Sequence, residues 1–183
     1  MSEVPMLKGN SIVLRGIRES DINDRLFFGR PNEFSYMCGG NRSENNEYPP
    51  REELERWYQY ILQNTNDTIN WMIECDEKCI GNARLHNISK NDNNATFAIG
   101  IWDTTSYSKG IGSEATKLVL EYAFKVLKLH RVDLKVLDYN KRGIRCYEKC
   151  GFKRDGVLRE NAYIEGQYHS DIIMSILERE YIV

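Results

Sequence analysis

The clearest chemical capacity in this chain lies in Tyr107-Ser108-Lys109-Gly110-Ile111-Gly112-Ser113, where two glycines stand one residue apart at the head of an apolar series. Ile111, Ala115, Leu118, Val119, Tyr122 and Val126 recur at the spacing of one helical face, and Ala95 to Trp102 upstream has strand character. Glycine at a strand-to-helix turn permits positive φ and close approach to the main chain. The first helical turn adds unpaired N–H groups and a partial positive charge. Such a turn can cradle an anion, most often phosphate. Two familiar phosphate loops are excluded: there is no Gly-x-x-x-x-Gly-Lys-Ser/Thr, and no third glycine at dinucleotide-fold spacing. Because Gly-x-Gly also precedes many helices for steric reasons alone, the turn needs a second signal.

That signal follows about thirty residues later. A strand-like His130 to Val136 leads into Asn140-Lys141-Arg142-Gly143-Ile144-Arg145-Cys146-Tyr147-Glu148-Lys149-Cys150-Gly151-Phe152. In order, the two segments resemble the acetyl-CoA-binding core of the Gcn5-related N-acetyltransferase (GNAT) family. Tyr107-x-x-Gly110-x-Gly112 is similar to its Gln/Arg-x-x-Gly-x-Gly/Ala loop, with Tyr107 as a departure. Asn140, Tyr147, Gly151 and Phe152 match its second signature, with Gly143 where alanine is usual. Gly156 to Glu160 and Tyr168-His169-Ser170-Asp171 are similar to the ribosomal-protein and polyamine branch.

The resemblance implies acetyl-CoA as cosubstrate and direct acetyl transfer to a primary amine. Candidate acceptors are a protein N-terminus, a polyamine, an aminoglycoside or an amino sugar. The coenzyme's diphosphate is expected at the main chain around Tyr107, Ser108, Lys109, Gly110, Ile111, Gly112 and Ser113, with Lys109 or Arg145 adding charge. Asn140 reads first as a helix N-cap, and the resemblance adds contact with the pantetheine arm or the incoming amine. Tyr147 takes the general-acid role: a phenol of pKa about 10 can return a proton to a thiolate whose conjugate acid has a pKa of about 8 to 9. The same residue could also be plain core between Ile144 and Phe152. A main-chain N–H around Ile99, Gly100 and Ile101 is expected to receive the oxyanion, with Gly100 easing a bulge there.

The base is not legible. Many relatives carry a glutamate two residues before the glycine of the fourth strand, where this chain has Ala98. Glu33, Glu74 and His86 are the candidates, or a water relay. The missing glutamate keeps one alternative open, a non-catalytic acyl-CoA-binding or regulatory domain.

These residues need elements to hold them. Ser11 to Ile17 alternates as a first strand, with Ile12, Leu14 and Gly16 on the apolar side against Val13 and Arg15 on the polar one. Glu19-Ser20-Asp21 starts a two-turn helix whose apolar face is Ile22, Leu26 and Phe27. Gly29 to Pro50 reads as a long irregular loop, and its Glu33, Phe34, Tyr36 and Met37 suit either a pocket for an amine with an apolar body or a partly ordered surface loop. A helix from Pro50 to about Gln63 packs Leu54, Trp57, Tyr58, Ile61 and Leu62 on a sheet, with Trp57 as core. Ile69 to Cys75, Lys78 to Asn87 and Thr96 to Trp102 then form three antiparallel strands. The helix Gly112 to Lys128, the strand Arg131 to Leu137, the helix Asn140 to Cys150 and the hairpin Lys153 to Ile164 and Gln167 to Leu177 complete the order βααβββαβαββ. A mixed sheet with helices on both faces follows. The resemblance supplies a seven-stranded, mostly antiparallel α/β arrangement with a V-shaped split between the fourth and fifth strands.

At 183 residues the chain fits one domain, with the core spanning about 8–180 and enough length to bury most of its unfolded surface. A net charge of -2 offers no basic excess for nucleic acid. The start of the chain lacks a leader pattern and no apolar run reaches membrane length, so a soluble cytoplasmic protein is expected. A homodimer stays open. The five cysteines argue against a complete disulfide framework. Cys75, Cys79, Cys146 and Cys150 read as reduced, small hydrophobes, with no metal expected.

Overall fold

In the computed structural model, which describes residues 4–40 and 48–181, the chain begins with two short antiparallel strands, β1 (Leu7–Lys8) and β2 (Val13–Arg15). Three helices follow: α1 (Asp21–Phe28), α2 (Asn32–Met37) and α3 (Arg51–Gln63). The remaining elements are β3 (Ile69–Cys75), β4 (Lys78–Ser89), β5 (Asn94–Ile101), α4 (Ile111–Glu121), β6 (Arg131–Leu137), α5 (Lys141–Lys149), β7 (Lys153–Ile164) and β8 (Gln167–Leu177). They build one sheet of eight strands in the order β1-β2-β3-β4-β5-β6-β8-β7. The expected seven become eight because the Gly9 to Ile12 turn folds Leu7–Lys8 back on the first strand.

Local chemistry sets the hairpins. Asp76 and Glu77 (φ 50° and 62°), and Glu165 and Gly166 (φ 50° and 81°), are left-handed pairs joining β3 to β4 and β7 to β8. Two consecutive positive-φ residues match the right-handed twist of the strands they connect. The helix expected from Gly112 to Lys128 starts at Ile111 and widens after Glu121 into a π turn over Tyr122–Val126, with Leu127 N–H bonded to Tyr122 C=O at 3.1 Å.

β5 and β6 are parallel and pair only over Asn94–Thr96 and Arg131–Asp133. Beyond that point β5 stays with β4 as far as Ile101, and β6 stays with β8 as far as Leu137. The sheet therefore splits into a V. Ala95 and Phe97 of β5 and Val132, Leu134 and Val136 of β6 turn to one face, where they pack with Ala115, Val119 and Leu120 of α4. The other face carries α1 to α3 over a smaller cluster of Ile61, Met72, Cys79 and Trp102.

Four expectations are corrected. Arg15, read on the polar side of the first strand, is buried: its guanidinium bonds Asp21 at 2.7 Å and Glu74 at 2.5 Å, an ion cluster that ties β2, α1 and β3 together. On α1, Phe27 is exposed and Arg25 is buried, so the inward face runs through Ile22 and Arg25. Gly29 to Pro50 is not wholly irregular. Pro31 before α2 and left-handed Gly39 after it are helix start and stop signals that bracket one short helix, while residues 41–47 of that stretch lie outside those described. Finally, β5 keeps unbroken register with β4 from Thr96 to Ile101, so no bulge occurs at Gly100.

Close approach of β4 and β5 replaces the bulge. A Cβ on Gly81 would lie 2.5 Å from the Gly100 carbonyl oxygen. No described helix is long and apolar enough to cross a membrane. Gly81→Ala must push the two strands apart and is expected to lower stability by about 1–3 kcal/mol, read from urea denaturation.

Candidate active site

The V opens into a cleft of about 900 Å³ between β5, β6, α2, α4 and α5. Its first wall is the glycine turn. Gly110 takes φ +90° as the residue before α4, and a Cβ built on it meets nothing within 4 Å. Glu114 N–H is already bonded to Gly110 C=O at 3.0 Å, which leaves the N–H groups of Ile111, Gly112 and Ser113 as the free donors of the first turn. The loop is anchored from behind. Tyr107 donates its hydroxyl to Ile101 C=O at 2.9 Å, and the Glu114 carboxylate accepts from Ser11 N–H at 3.0 Å and also from Asn10 N–H and the Ser11 hydroxyl. Tyr107 is thus a tie from loop to β5.

Positive charge comes from α5. Arg142, Arg145 and Lys149, spaced three and four apart and so on one helix face, all line the cleft. Arg142 stacks over the Tyr107 ring at 3.8 Å and pairs with Glu33 at 2.6 Å. Asn140 caps α5 as expected, accepting from Gly143 N–H at 2.9 Å, and its amide also donates to Met37 C=O at 3.3 Å. Together these features fit a diphosphate and its pantetheine arm: free donors, open space above a glycine and three cations.

The second wall is β5. Trp102 N–H is bonded to Ile80 C=O on β4 at 2.9 Å, so by strand alternation the N–H groups of Ile101 and Ile99 point away from β4 and into the split. No described strand pairs with them there. Tyr147 faces this edge, partly buried and in edge-to-face contact with Phe97 (6.4 Å) and Phe152 (5.9 Å). Burial raises its phenol above the ordinary value, with nearby thiols adding to the effect, so it is protonated at neutral pH and able to donate.

The structure gathers Ile99, Gly100, Ile101, Tyr107, Ser108, Gly110, Gly112, Ser113, Asn140, Arg145 and Tyr147 around this cleft. Lys109 lies off the lining and the Ile111 side chain turns into the core, although its N–H stays in the turn. The three base candidates are scattered. Glu74 is held by Arg15 and by Arg18 (3.1 Å), Glu33 is paired with Arg142, and His86 sits beside Arg84 near the vertex; none lines the cleft. Burial and the neighbouring Arg84 lower the His86 pKa. Asp171, opposite Leu137 on β8, is the carboxylate that lines the cleft among the described residues.

Sequence reasoning missed Asp171, Arg84, Lys135 and Cys146, which acquire a role only when β4, β6, β8 and α5 converge. Trp57, expected as core, packs edge-on against Trp102 at 6.2 Å but also lines the cleft. Phe34 and Met37 of α2 line it as well, consistent with an apolar wall there.

Against this geometry, a family model described as "Acetyltransferase (GNAT) domain" matches residues 11–153. The chain belongs to the GNAT acetyltransferase family. It is an acetyl-CoA-dependent N-acetyltransferase. "Probable N-acetyltransferase YjcK" of Bacillus subtilis is 30% identical over 94% of this chain and 97% of that protein. Spermidine N(1)-acetyltransferase of Escherichia coli K12 is 34% identical over 71% of this chain and 69% of that protein. Among solved structures, spermidine N-acetyltransferase from Vibrio cholerae in complex with CoA and spermine superposes with a TM-score of 0.79 at 26% identity, covering 94% of this chain and 99% of that one.

None of the described cysteines is disulfide-bonded, and no group of three or more described His, Cys, Asp or Glu residues is placed to hold a metal. Cys146 differs from the buried Cys79. A hydrogen bond from the Cys150 thiol lowers its pKa, burial opposes this, and Ser113, whose Oγ lies 3.3 Å from the sulfur, together with Thr116 and Lys149 reinforces it. In Cys79, burial drives the pKa upward. Cys146 is therefore expected to react with iodoacetamide at pH 7 well before Cys79, and saturating CoA is expected to protect it; peptide mass spectrometry reads both.

Proposed function

We propose that the GNAT domain of this chain, about residues 8–180, acetylates a primary amine by direct attack on the thioester, with Tyr147 as general acid and the Ile99 to Ile101 main chain as oxyanion donor. Acetyl-CoA is a substrate here, consumed at each turnover. The observation that carries this reading is that the free N–H edge of β5, the Tyr147 phenol and the glycine turn share one cleft. The diphosphate would bind the N–H groups of Ile111, Gly112 and Ser113 beside Arg142, Arg145 and Lys149. With the coenzyme so anchored, its extended arm runs along the unpaired edge of β5.

A neutral amine then adds to the carbonyl carbon and the carbonyl oxygen takes up negative charge, which N–H donors in a dry slot stabilise far better than water would. Collapse of the adduct breaks the carbon–sulfur bond, and the departing thiolate takes the Tyr147 proton. The acceptor loses its own proton to solvent or to a relay past Asp171, and Tyr147 regains a proton from solvent before the next turnover. The raised pKa keeps Tyr147 protonated at neutral pH, so its proton is in place when the thiolate forms.

The two spermidine relatives make a small primary amine the natural acceptor class, entering on the α2 side, where Phe34 lies against Gly100.

Tyr147→Phe is expected to lower kcat by roughly 10²-fold or more while CoA affinity by calorimetry stays within about twofold. An unchanged kcat removes Tyr147 from the acid role. Gly110→Val is expected to do the opposite, raising the acetyl-CoA Kd by at least about tenfold, because a β-branched residue is strained at φ +90° and fills the space over the turn.

A further inference from the structure

Two cations in the cleft are not explained by coenzyme phosphates. Arg142, Arg145 and Lys149 belong to α5, beside the glycine turn. Arg84 and Lys135 belong to the sheet, on its opposite face. The alternation of β5 and β6 decides this: Phe97 and Leu134 pack in the core with α4, so Ala98 and Gly100, and likewise Lys135, face α2. Arg84 is registered opposite Ala98, Asn82 opposite Gly100, Lys135 opposite Ile173, and Asp171 opposite Leu137.

These pairs form two rows across the split. One row holds Arg84, Ala98 and Lys135, nearer the vertex. The next, two residues or about 7 Å further out, holds Asn82, Gly100 and Asp171. Arg84 and Lys135 both line the cleft and, among the described residues, have no ion-pair partner, whereas the one carboxylate lining it among those residues is Asp171, which accepts from Asn161 at 2.6 Å.

A third cation stands behind the apolar wall. Arg25 is 7% exposed, and its Nη1 is buried with no hydrogen-bond partner among the described residues. Its guanidinium is 4.8 Å from the centre of the Trp102 ring and 5.6 Å from that of Phe34, the ring that covers Gly100. Burial, with Arg30 adding, lowers its pKa to about 10, so it remains charged at neutral pH. Buried cations are ordinarily paired, and this one adds positive potential to the wall that the acceptor must pass.

From this arrangement we infer that the acceptor is an amine that also carries an anionic group, a carboxylate or phosphate, held by Arg84 and Lys135 while the amine lies in the row of Gly100 and Asp171. Phe34 and Trp57 receive its apolar body. The inference rests on the acetyl-transfer reading above and narrows it: a polyamine, cationic at every terminus, meets like charge in this cleft. Neither spermidine relative imposes its acceptor on this chain, since the charges in question are this chain's own.

The test compares matched acceptors by CoA release: L-phenylalanine against L-phenylalaninamide and phenethylamine, D-glucosamine 6-phosphate against D-glucosamine, and spermidine alone. The expected result is kcat/KM at least about tenfold higher for the anionic member of one pair, which also tells carboxylate from phosphate, with spermidine slower than that member. In Arg84→Gln and Lys135→Gln the preference should shrink, with the loss falling on KM for the anionic acceptor. Turnover in which phenethylamine, D-glucosamine or spermidine equals or exceeds the anionic amines overturns the inference but leaves acetyl transfer standing, as does a preference unchanged in both variants. Calorimetry on the CoA-saturated protein supplies a readout without turnover: N-acetyl-L-phenylalanine or N-acetyl-D-glucosamine 6-phosphate should bind at least about tenfold tighter than its uncharged counterpart, and equal binding in both pairs overturns the inference whatever the activity.

Discussion

Everything in this molecule depends on two neighbouring strands parting after three residue pairs. A parallel pair continued to its end would satisfy its own backbone and leave nothing for a ligand. Here β5 and β6 each keep one outer partner, β4 and β8, and turn an unpaired edge toward the other. Unpaired N–H and C=O groups inside a fold are costly unless something bonds them. The split is therefore built for a chain-like guest with amide groups of its own, and the pantetheine arm of CoA is such a guest. The glycine turn at one side offers free N–H donors to the charged end of such a guest.

A second constraint links the two sides of the cleft. The short helix α2 is held to the α5 side by a stack of Tyr36 on Tyr139 at 4.3 Å, by the Tyr139 hydroxyl donating to Tyr36 C=O at 2.6 Å, and by the Arg142 to Glu33 ion pair. The Asn140 amide does the same at Met37. The residue that caps the coenzyme-side helix thus also positions the wall that carries Phe34. Six residues of helix, too few to be stable alone, keep their place because α5 holds them.

Charge is sorted by face. Cations on α5 lie beside the glycine turn, and cations on β4 and β6 lie on the other face of the sheet. Their separation follows from pleat alternation alone: odd and even residues of one strand cannot share a face. For that reason a chain with a net charge of -2 still presents a predominantly basic cleft, and overall composition is silent about it.

The residue pattern by itself determined most of the elements and the glycine-turn wall of the cleft. Gly110 and Gly112 before an apolar helical stripe, and Asn140 with Tyr147 on the next helix, are local signals, because turn φ angles, caps and i to i+4 spacing are decided by neighbours in sequence. The same holds for the hairpins at Asp76-Glu77 and Glu165-Gly166. Tertiary structure decided the rest. Arg25 and Phe27 differ by two positions on one helix, and only the packing of α1 on β4 decides which is buried. Pro31 and Gly39 flank a helix so short that only its seat against α5 makes it form. Asp171, Arg84 and Lys135 lie far apart along the chain and come together through strand register, a non-local pairing that no window of sequence encodes. The sheet side of the cleft is made of such pairings, which is why the glycine turn and the motif resemblance could be read along the chain while the charges of that side required the fold.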